Sequence, residues 1–237
     1  MLDSGPMFVL ERVGGLRKST HLAALALCVV VGATGCKKKK PHGDEDTVTG
    51  SGVLKTVEKP VPPFASLHLS TVSEGKYTIG EPKVTLRGDD NLLPLIRVDS
   101  TPGQLVVSRE KTFKPAINLT TDIAGPPDLT ELIVDITARL TVEGLKAGKL
   151  TVKTSGVGKL TASGSADEIV IEAAMASQID LTHLAVRKAK VTAIKAAQVR
   201  LGYVEELDVE TRAAARVSYM GDPKITRSVG RPPIKQN

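Results

Sequence analysis

An apolar pair recurs along the C-terminal half of this chain at intervals of 18 to 20 residues. Each copy holds two aliphatic residues eight positions apart, and the copies are Leu132/Leu140, Val152/Leu160, Ile171/Ile179, Val191/Val199 and Val209/Val217. A fixed period of this length is typical of a solenoid, whose single turns bury their apolar faces only when neighbouring turns stack on them. The repeat therefore constrains the architecture more tightly than it constrains the chemistry.

Within each copy the apolar residues step by two, which favours strands with one buried face. Leu150 and Val152 enclose the polar Thr151, and Leu140 and Val142 enclose Thr141. Such alternation is the period of a half-buried β-strand. We therefore predict an all-β fold, a parallel β-helix or solenoid with rungs of about 20 residues. Because parallel crossovers favour one hand, we expect the coil to be right-handed.

A column of small residues lies six positions after the first residue of each pair. Its members are Ala138, Gly158, Ser177, Ala197 and Ala215. A corner where successive rungs pass close together selects small side chains, because a large one would push the rungs apart. Each rung then consists of a strand, a tight corner, a second strand and a looser return.

A helical alternative exists, because the segment 171–200 is rich in Ala, Lys and Gln, which are good helix formers. However, no Gly or Pro separates the helices that this reading requires, and a continuous helix leaves the eight-residue pairing unexplained. The strand interpretation is therefore favoured.

The N-terminal segment has the pattern of a bacterial lipoprotein leader. Arg12, Arg17 and Lys18 precede an apolar stretch at 22–31 that is too short to remain as a membrane span. The segment Ala33–Cys36 resembles a lipobox, in which the cysteine receives a diacylglycerol and becomes the new N-terminus. We predict a signal peptide at 1–35 and lipidation of Cys36.

Two alternatives remain for the leader. An ordinary signal peptide cleaved near Gly35 would make Cys36 incidental, and translation could begin at Met7 instead of Met1. Cys28 is a poor lipidation site, because the bulky Leu27 precedes it.

Residues 36–49 form the predicted tether, since they are polar and cannot bury surface. Lys37–Lys40 either contact anionic lipid headgroups or belong to a merely solvated linker. We place the β-solenoid at 50–230, with less regular rungs before a bend at Gly125–Pro127. Residues 231–237 form a C-terminal tail that frays or caps the last rung.

Several motifs together resemble a known family. They are Gly50-Ser-Gly52, Pro63–Leu69, Tyr77–Gly80, Asp89–Leu93, Gly103–Ser108 and the Ser-Gly-Val-Gly turn at 155–158. In this order they are similar to the putative auto-transporter adhesin head GIN domain, a domain of unknown function. The resemblance implies a β-helical fold on a secreted or lipid-anchored bacterial protein, and its adhesin label implies little about the ligand.

The chain departs from that family immediately after the small corner residue, where the family tends to have Asp. This chain has instead Arg139, Lys159, Gln178, Gln198 and Arg216. Stacking at about 4.8 Å would align them in a ladder along one edge. We interpret this ladder as a surface for an anionic glycan or phosphate; alternatively, these are exposed turn positions that accept any polar residue.

The remaining residues point away from catalysis. His21, His42, His68 and His183 are far apart and have no metal-ligand spacing, and no cysteine follows Cys36. The acid pairs Asp89-Asp90, Asp167-Glu168 and Glu205-Glu206 are interpreted as solvated turns, because adjacent carboxylates point apart. No cofactor or metal is expected. The net charge of +6 is modest and no nucleic-acid motif accompanies it, so no nucleic-acid partner is expected.

We therefore predict a non-enzymatic bacterial envelope lipoprotein that presents a β-helical surface to an anionic glycan or to an envelope or surface protein. An accessory envelope role without a specific ligand and a divergent polysaccharide-acting enzyme are the alternatives. No Asp follows Cys36 as a retention signal, which favours the outer membrane.

Overall fold

The computed structural model describes residues 47–236. The predicted signal peptide, the lipidation site Cys36 and Lys37–Lys40 lie outside the described residues. In the described range the secondary structure consists of strands and a single 3-10 helix at Leu93–Leu95.

Strands alternate with short turns along the whole described range. Their bounds are β1 Val48–Thr49, β2 Leu54–Pro60, β3 Phe64–Ser70, β4 Glu74–Ile79, β5 Lys83–Asp89, β6 Ile96–Thr101, β7 Gly103–Arg109, β8 Phe113–Lys114, β9 Thr120–Gly125, β10 Glu131–Val134, β11 Arg139–Thr154, β12 Lys159–Ala173, β13 Gln178–Ala193, β14 Gln198–Thr211, β15 Arg216–Met220, β16 Lys224–Val229 and β17 Ile234–Lys235.

The predicted stacking of aliphatic residues is confirmed. Leu140 pairs with Leu160, Leu160 with Ile179, and Ile179 with Val199, all in parallel register. These four side chains are at most 1% exposed. Aliphatic layers in vertical register form one continuous core, so the fold class is the predicted parallel β-solenoid.

The return segment of each rung differs from the prediction, because it is a strand and not a loose connection. Strand β12 runs without interruption from Lys159 to Ala173, and Leu145 and Ala147 of the rung before it pair with Gly164 and Ala166. These return segments form a third wall of the coil, besides the two walls that precede and follow the turn. Register shifts separate the third wall from the first part of each long strand. The chain bends at these irregularities, which lets one strand supply two walls of the coil.

Each rung closes with a four-residue turn whose second residue has positive φ. The five second residues are Ile136, Gly156, Met175, Lys195 and Ala213. In successive turns Val157 N–H donates to the Ile136 carbonyl (2.8 Å) and Ala176 N–H donates to the Gly156 carbonyl (2.9 Å). The turns therefore stack as a straight column, bonded through the backbone like the strands.

The small-residue column lies on the inside of these turns, as predicted. All five members are buried. A Cβ added at Gly158 would lie 2.9 Å from the Val134 carbonyl oxygen, which shows how little space the corner leaves. The hydroxyl of Ser177 is satisfied there, because Thr154 Oγ1 donates to it at 3.0 Å.

The N-terminal coils are stacked out of chain order, which the sequence did not indicate. Strand β3 lies between β7 and β10, and β4 lies between β9 and β11. The first coil of the chain is thus inserted between the second and the third. The prediction of less regular rungs in this region is too simple, since three of its strand pairs are antiparallel.

Those antiparallel strands cover the N-terminal end of the stack. β6 pairs with β7, β5 pairs with β9, and β2 pairs with β5. At the other end β16 lies on β14, and β17 of the predicted tail lies on β15. The outermost strands carry lysines, such as Lys55 on β2 and Lys224 on β16, which limit edge-to-edge association, the main liability of a stack of strands.

The bend at Gly125 is fixed by two aromatic rings. Phe64 and Tyr77 meet edge to face, with centroids 6.3 Å apart, and a Cβ at Gly125 would lie 2.6 Å from the Phe64 ring. Burial raises the pKa of the Tyr77 hydroxyl, with a smaller contribution from the nearby charge of Asp128. That hydroxyl donates to the Pro126 carbonyl at 2.6 Å.

Asp89 was predicted to be a solvated turn residue, and this was wrong. Its carboxylate is 1% exposed and accepts backbone N–H bonds from Gly52 (2.7 Å), Ala116 (3.0 Å) and Ile117 (3.0 Å). These bonds, that from Ile117 first, lower the pKa of Asp89 despite its burial. Two sequence motifs, Gly-Ser-Gly at 50–52 and Asp-Asp-Asn at 89–91, therefore contact each other, and this contact holds residues 50–52 to the end of β5.

Candidate functional site

The predicted ladder is present in the register of the stack. Arg139 pairs with Lys159, Lys159 with Gln178, Gln178 with Gln198, and Gln198 with Arg216. All five side chains are exposed. Each follows directly on a buried small residue of the turn column, so the backbone bonding of the turns keeps the row straight. At about 4.8 Å per rung the row spans about 19 Å.

Most of the ladder's positive charge has no acidic partner. Arg139 Nη1 lies 3.4 Å from Glu74 Oε1, and both side chains are more than half exposed, so this contact is weak. Among residues 47–236, no carboxylate lies within ion-pair distance of Lys159 or Arg216. The row thus presents one weakly paired cation, two unpaired cations and two amides to solvent.

Two shallow depressions lie beside the ladder. One, of about 250 Å³, is lined by Arg139, Lys159, Thr141 and Thr161, and also by Glu74. A smaller one, of about 40 Å³, lies next to Gln178 and Gln198 and includes Asp180, which faces Arg200 at 3.8 Å. Guanidinium, ammonium, amide and hydroxyl groups on an open surface are donors for carboxylate, sulfate or phosphate oxygens.

A second column of charges, which sequence reasoning missed, runs along another corner. Its members, in vertical register, are Lys149, Glu168, Lys188, Glu206 and Lys224. We call it the alternating column, because the sign changes at every rung. Lys149 Nζ lies 3.1 Å from Glu168 Oε1, and Lys188 Nζ lies 3.3 Å from Glu206 Oε2. The acid pairs at 167–168 and 205–206 are therefore not simply solvated, since each contributes to cross-rung ion pairs.

A polar network lies on the wall formed by β3, β10 and β11. His68 Nε2 is 2.9 Å from Asp135 Oδ2, and Ser155 Oγ donates to Asp135 Oδ1 at 2.6 Å. The aspartate stands between the imidazole and the hydroxyl, so His68 does not contact Ser155 as a base would contact a nucleophile. The arrangement ties neighbouring rungs together.

Glu131 extends this network by one ion pair. Burial raises its pKa, but hydrogen bonds from Ser66 and Lys153 outweigh that effect and leave the pKa below its ordinary value. Lys153 Nζ lies 3.1 Å from Glu131 Oε1. The pair links β10 to β11 across the wall.

Neither a metal centre nor a membrane helix is found in the part of the chain that the structure describes. Between residues 47 and 236 no group of three or more His, Cys, Asp and Glu side chains could hold a metal ion. In the same range no helix is long and apolar enough to cross a bilayer.

Comparison with known protein families identifies the family to which this chain belongs. The model of the putative auto-transporter adhesin, head GIN domain, matches residues 63–223. The chain belongs to this family. The matched range covers β4, every rung of the regular coil and the whole ladder, and the family resemblance noted in the sequence is thereby confirmed. No curated protein matches the chain.

Solved structures share the fold at low sequence identity. A putative adhesin from Bacteroides fragilis is 19% identical with a TM-score of 0.62, and the match covers 79% of this chain and 97% of that chain. A putative lipid binding protein from Parabacteroides distasonis is 14% identical with a TM-score of 0.53, covering 80% and 97%. A putative adhesin from Parabacteroides merdae is 16% identical with a TM-score of 0.50, covering 80% and 96%. At these identities the likeness establishes the fold alone.

Proposed function

We propose that this protein is a non-enzymatic, adhesin-like protein of the bacterial envelope, anchored through a lipid on Cys36, and that its ladder binds an oxyanion-bearing partner. Membership of an adhesin family supports the non-enzymatic role and a place in the envelope or at the surface. The observation that carries the ligand class is the unpaired charge of Lys159 and Arg216 in one exposed row.

The alternating column provides a comparison for the unpaired charge of the ladder. In that column the protein places a carboxylate opposite each ammonium group, one rung away. At the ladder the same stacking register brings Arg139 directly beside Lys159. Like charges in adjacent rungs repel, and directly opposed pairs of like sign are destabilising. A ligand with anionic groups would relieve this repulsion, whereas water and salt only screen it.

The chemistry of the row suits an extended ligand better than a single ion. The cations lie at its two ends, and Gln178 and Gln198 lie between them. Amides both donate and accept hydrogen bonds, so they match hydroxyl groups, while the terminal cations match carboxylates or sulfates. A polyanionic saccharide running parallel to the solenoid axis fits this order of groups.

The anchor is tested on the full chain expressed in a bacterial host. We expect metabolic labelling with a fatty acid to mark the wild type and a Cys28→Ala variant, and to be lost in Cys36→Ala. Equal labelling of both variants, or none of the wild type, would contradict lipidation of Cys36.

The ladder is tested on a soluble fragment, residues 44–237, which forms one compact unit with a core and covered ends. Binding to polygalacturonate and dextran sulfate is measured by titration, with uncharged dextran as the negative control. We expect binding that weakens with salt and is abolished by the triple substitution Arg139→Glu, Lys159→Glu, Arg216→Glu.

A matched variant separates this effect from net charge. Lys111, Lys146 and Lys190 are exposed and lie away from the ladder, so replacing all three with Glu changes the total charge by the same amount. This control is expected to keep most of the affinity. Equal losses in both triple variants would reduce the ladder to nonspecific electrostatics, and no binding by the wild type would favour the accessory role without a ligand.

A further inference from the structure

The turn column beside the ladder exposes an apolar ridge. Its outermost residues are the second and third of each turn, namely Ile136 and Thr137, Gly156 and Val157, Met175 and Ala176, Lys195 and Ala196, and Ala213 and Ala214. Val157 is 56% exposed and Met175 is 47% exposed, one rung apart at the centre of the row. Exposed aliphatic side chains in such a row cost solvation free energy unless something covers them.

Backbone hydrogen bonds join the successive turns of the ridge from Ile136 to Ala196. Val157 N–H donates to the Ile136 carbonyl, Ala176 N–H to the Gly156 carbonyl, and Ala196 N–H to the Met175 carbonyl, all at 2.8 to 2.9 Å. The turn tips are therefore held at the rung spacing along a line. A projecting row of turn tips can contact a flat surface along its length. An open depression of about 340 Å³ lies on the flank of the turns away from the ladder and is lined by Ser155, Ala174 and Ile194.

The side of the ridge that faces the ladder is mainly positive. The five turns contain one acid, Asp135, which is engaged by His68 and Ser155. Lys195 lies within a turn, and Lys159 and Arg216 of the ladder follow directly after turns; Arg212 is paired with Glu210 at 2.6 Å, and Glu172 lies on the opposite flank of the turns. An apolar strip bordered on one side by cations is the pattern of a surface that rests on anionic lipid, with apolar tips in the acyl boundary and cations among the phosphates.

We propose that this edge of the solenoid docks on an anionic lipid bilayer, so that the oxyanions met by the ladder are lipid phosphates. This inference rests on the binding function proposed for the ladder, and it narrows the ladder's partner from any oxyanion-bearing molecule to an anionic lipid. A soluble polysaccharide would use the cations but would gain little from Val157 and Met175. A second copy of the chain meeting ridge to ridge would bring two cationic ladders together, which electrostatic repulsion disfavours.

The test uses fragment 44–237, which lacks Cys36, so that the lipid anchor cannot supply the affinity. Vesicles of phosphatidylcholine with phosphatidylglycerol are compared with vesicles of phosphatidylcholine alone in a sedimentation assay. We expect binding only to the anionic vesicles. The ladder triple substitution to Glu is expected to reduce it on the order of 100-fold, since each cation near such a surface contributes on the order of 1 kcal/mol.

The apolar tips give the deciding variant. Val157→Ser with Met175→Ser is expected to weaken vesicle binding by about 10-fold or more while binding to soluble polygalacturonate is unchanged. Ile225→Ser with Val229→Ser is the matched control, because both residues are 43% exposed on β16, away from the turns. It is expected to change neither measurement.

Insertion itself has a direct readout, because the chain contains no Trp. Val157→Trp is expected to show a blue-shifted emission on anionic vesicles, and Ile225→Trp is not. Vesicle affinity that is insensitive to the tip substitutions, or an unshifted Val157→Trp spectrum, would overturn the lipid proposal. If the fragment binds polygalacturonate but no vesicles, the lipid proposal fails while the ladder function stands; if it binds neither, both fail.

Discussion

Two columns of charged and polar side chains run along this solenoid, and they use the same stacking register in opposite ways. The alternating column sets Lys149 against Glu168 and Lys188 against Glu206, so each rung neutralises its neighbour. The ladder sets Arg139 beside Lys159 and leaves both toward solvent. The first column pairs its charges within the molecule, whereas in the second Arg139 has a weak contact with Glu74 and Lys159 and Arg216 have no acidic partner among residues 47–236. The difference shows that register alone does not decide whether a charged column is structural; the order of signs along it does.

A substitution in the aliphatic core beneath both columns is expected to have the largest effect on the free energy of unfolding. Ile171 is fully buried between Val152 and Val191, so Ile171→Ala should lower the free energy of unfolding by about 2–5 kcal/mol. Denaturant titration measures the change. Lys190→Ala, on the exposed side of the neighbouring strand β13, should change it by less than about 0.5 kcal/mol. Similar values for the two would mean that the layers do not carry the fold, and with it both columns.

Asp89 differs from both columns, because its charge is stabilised by backbone N–H groups rather than by side chains. Because its folded pKa is lowered, its stabilising contribution is complete above the ordinary pKa of Asp and is lost as pH falls through the lower folded value. We expect the amide protons of Gly52 and Ile117 to shift together below about pH 4, followed by NMR, and to be insensitive to salt. Asp89→Asn keeps one of the two acceptor oxygens and should release either the Gly52 amide or the Ile117 amide at neutral pH, whereas Asp99→Asn on exposed β6 should release neither. A transition that salt moves strongly would contradict this account.

Adding one lysine to each column compares them directly. Glu168→Lys places three ammonium groups in successive rungs and should lower stability by about 1 kcal/mol at low salt, with the loss shrinking as salt is added. Gln178→Lys should cost no more than about 0.5 kcal/mol and should strengthen binding to a polyanion. Denaturant titration at two salt concentrations and the binding assay above provide the measurements. Equal destabilisation without a gain in binding would make the two columns equivalent.

The turns that carry the ladder give the smallest effect. Ala213 has φ of 59°, a conformation that favours glycine, so Ala213→Gly should raise stability by about 0.5–1 kcal/mol after the entropy of the unfolded chain is counted. The reverse change at the equivalent position, Gly156→Ala, should lower it, since its Cβ would lie 2.6 Å from the Ile136 carbonyl oxygen. Thermal unfolding compares the two variants. A loss from Ala213→Gly together with a gain from Gly156→Ala would mean that positive φ does not strain these turns.

The sequence predicted the regular coil well because the coil is local and repeated. Val152 and Leu160 recur with their equivalents at nearly constant spacing, so the strands, the small corner and the ladder register all follow from one period. The third wall was missed although its column Ala147, Ala166, Val186 and Val204 keeps that period. Its apolar signal is weak, because two members of the column are alanine and because Leu145 in the next column aligns with Gly164. The bulges before the third wall differ in length from rung to rung, which hides an otherwise regular column.

Other features depended on contacts that no local pattern encodes. The alternation in β3 shows that Leu67 and Leu69 face inward, but it does not show that the neighbours are Leu105 and Leu132. Asp89 looks like any acidic turn until Gly52 and Ile117 are brought to it. The alternating column, in contrast, was visible: Lys149, Glu168, Lys188 and Glu206 are spaced 19, 20 and 18 residues apart, the period of the core itself.

The inserted first coil sets where this protein can change its length. Residues 66–69 pair with β7 on one side and with β10 on the other, and both of these strands come later in the chain. A coil therefore cannot be added or lost there without rearranging the antiparallel strands at that end of the stack. Between Lys159 and Thr211 each rung is paired only with its two neighbours, and duplicating one would simply extend the stack. Within residues 47–236, growth by whole repeats is therefore open in the regular coil, and each repeat would bring one more ladder position with it.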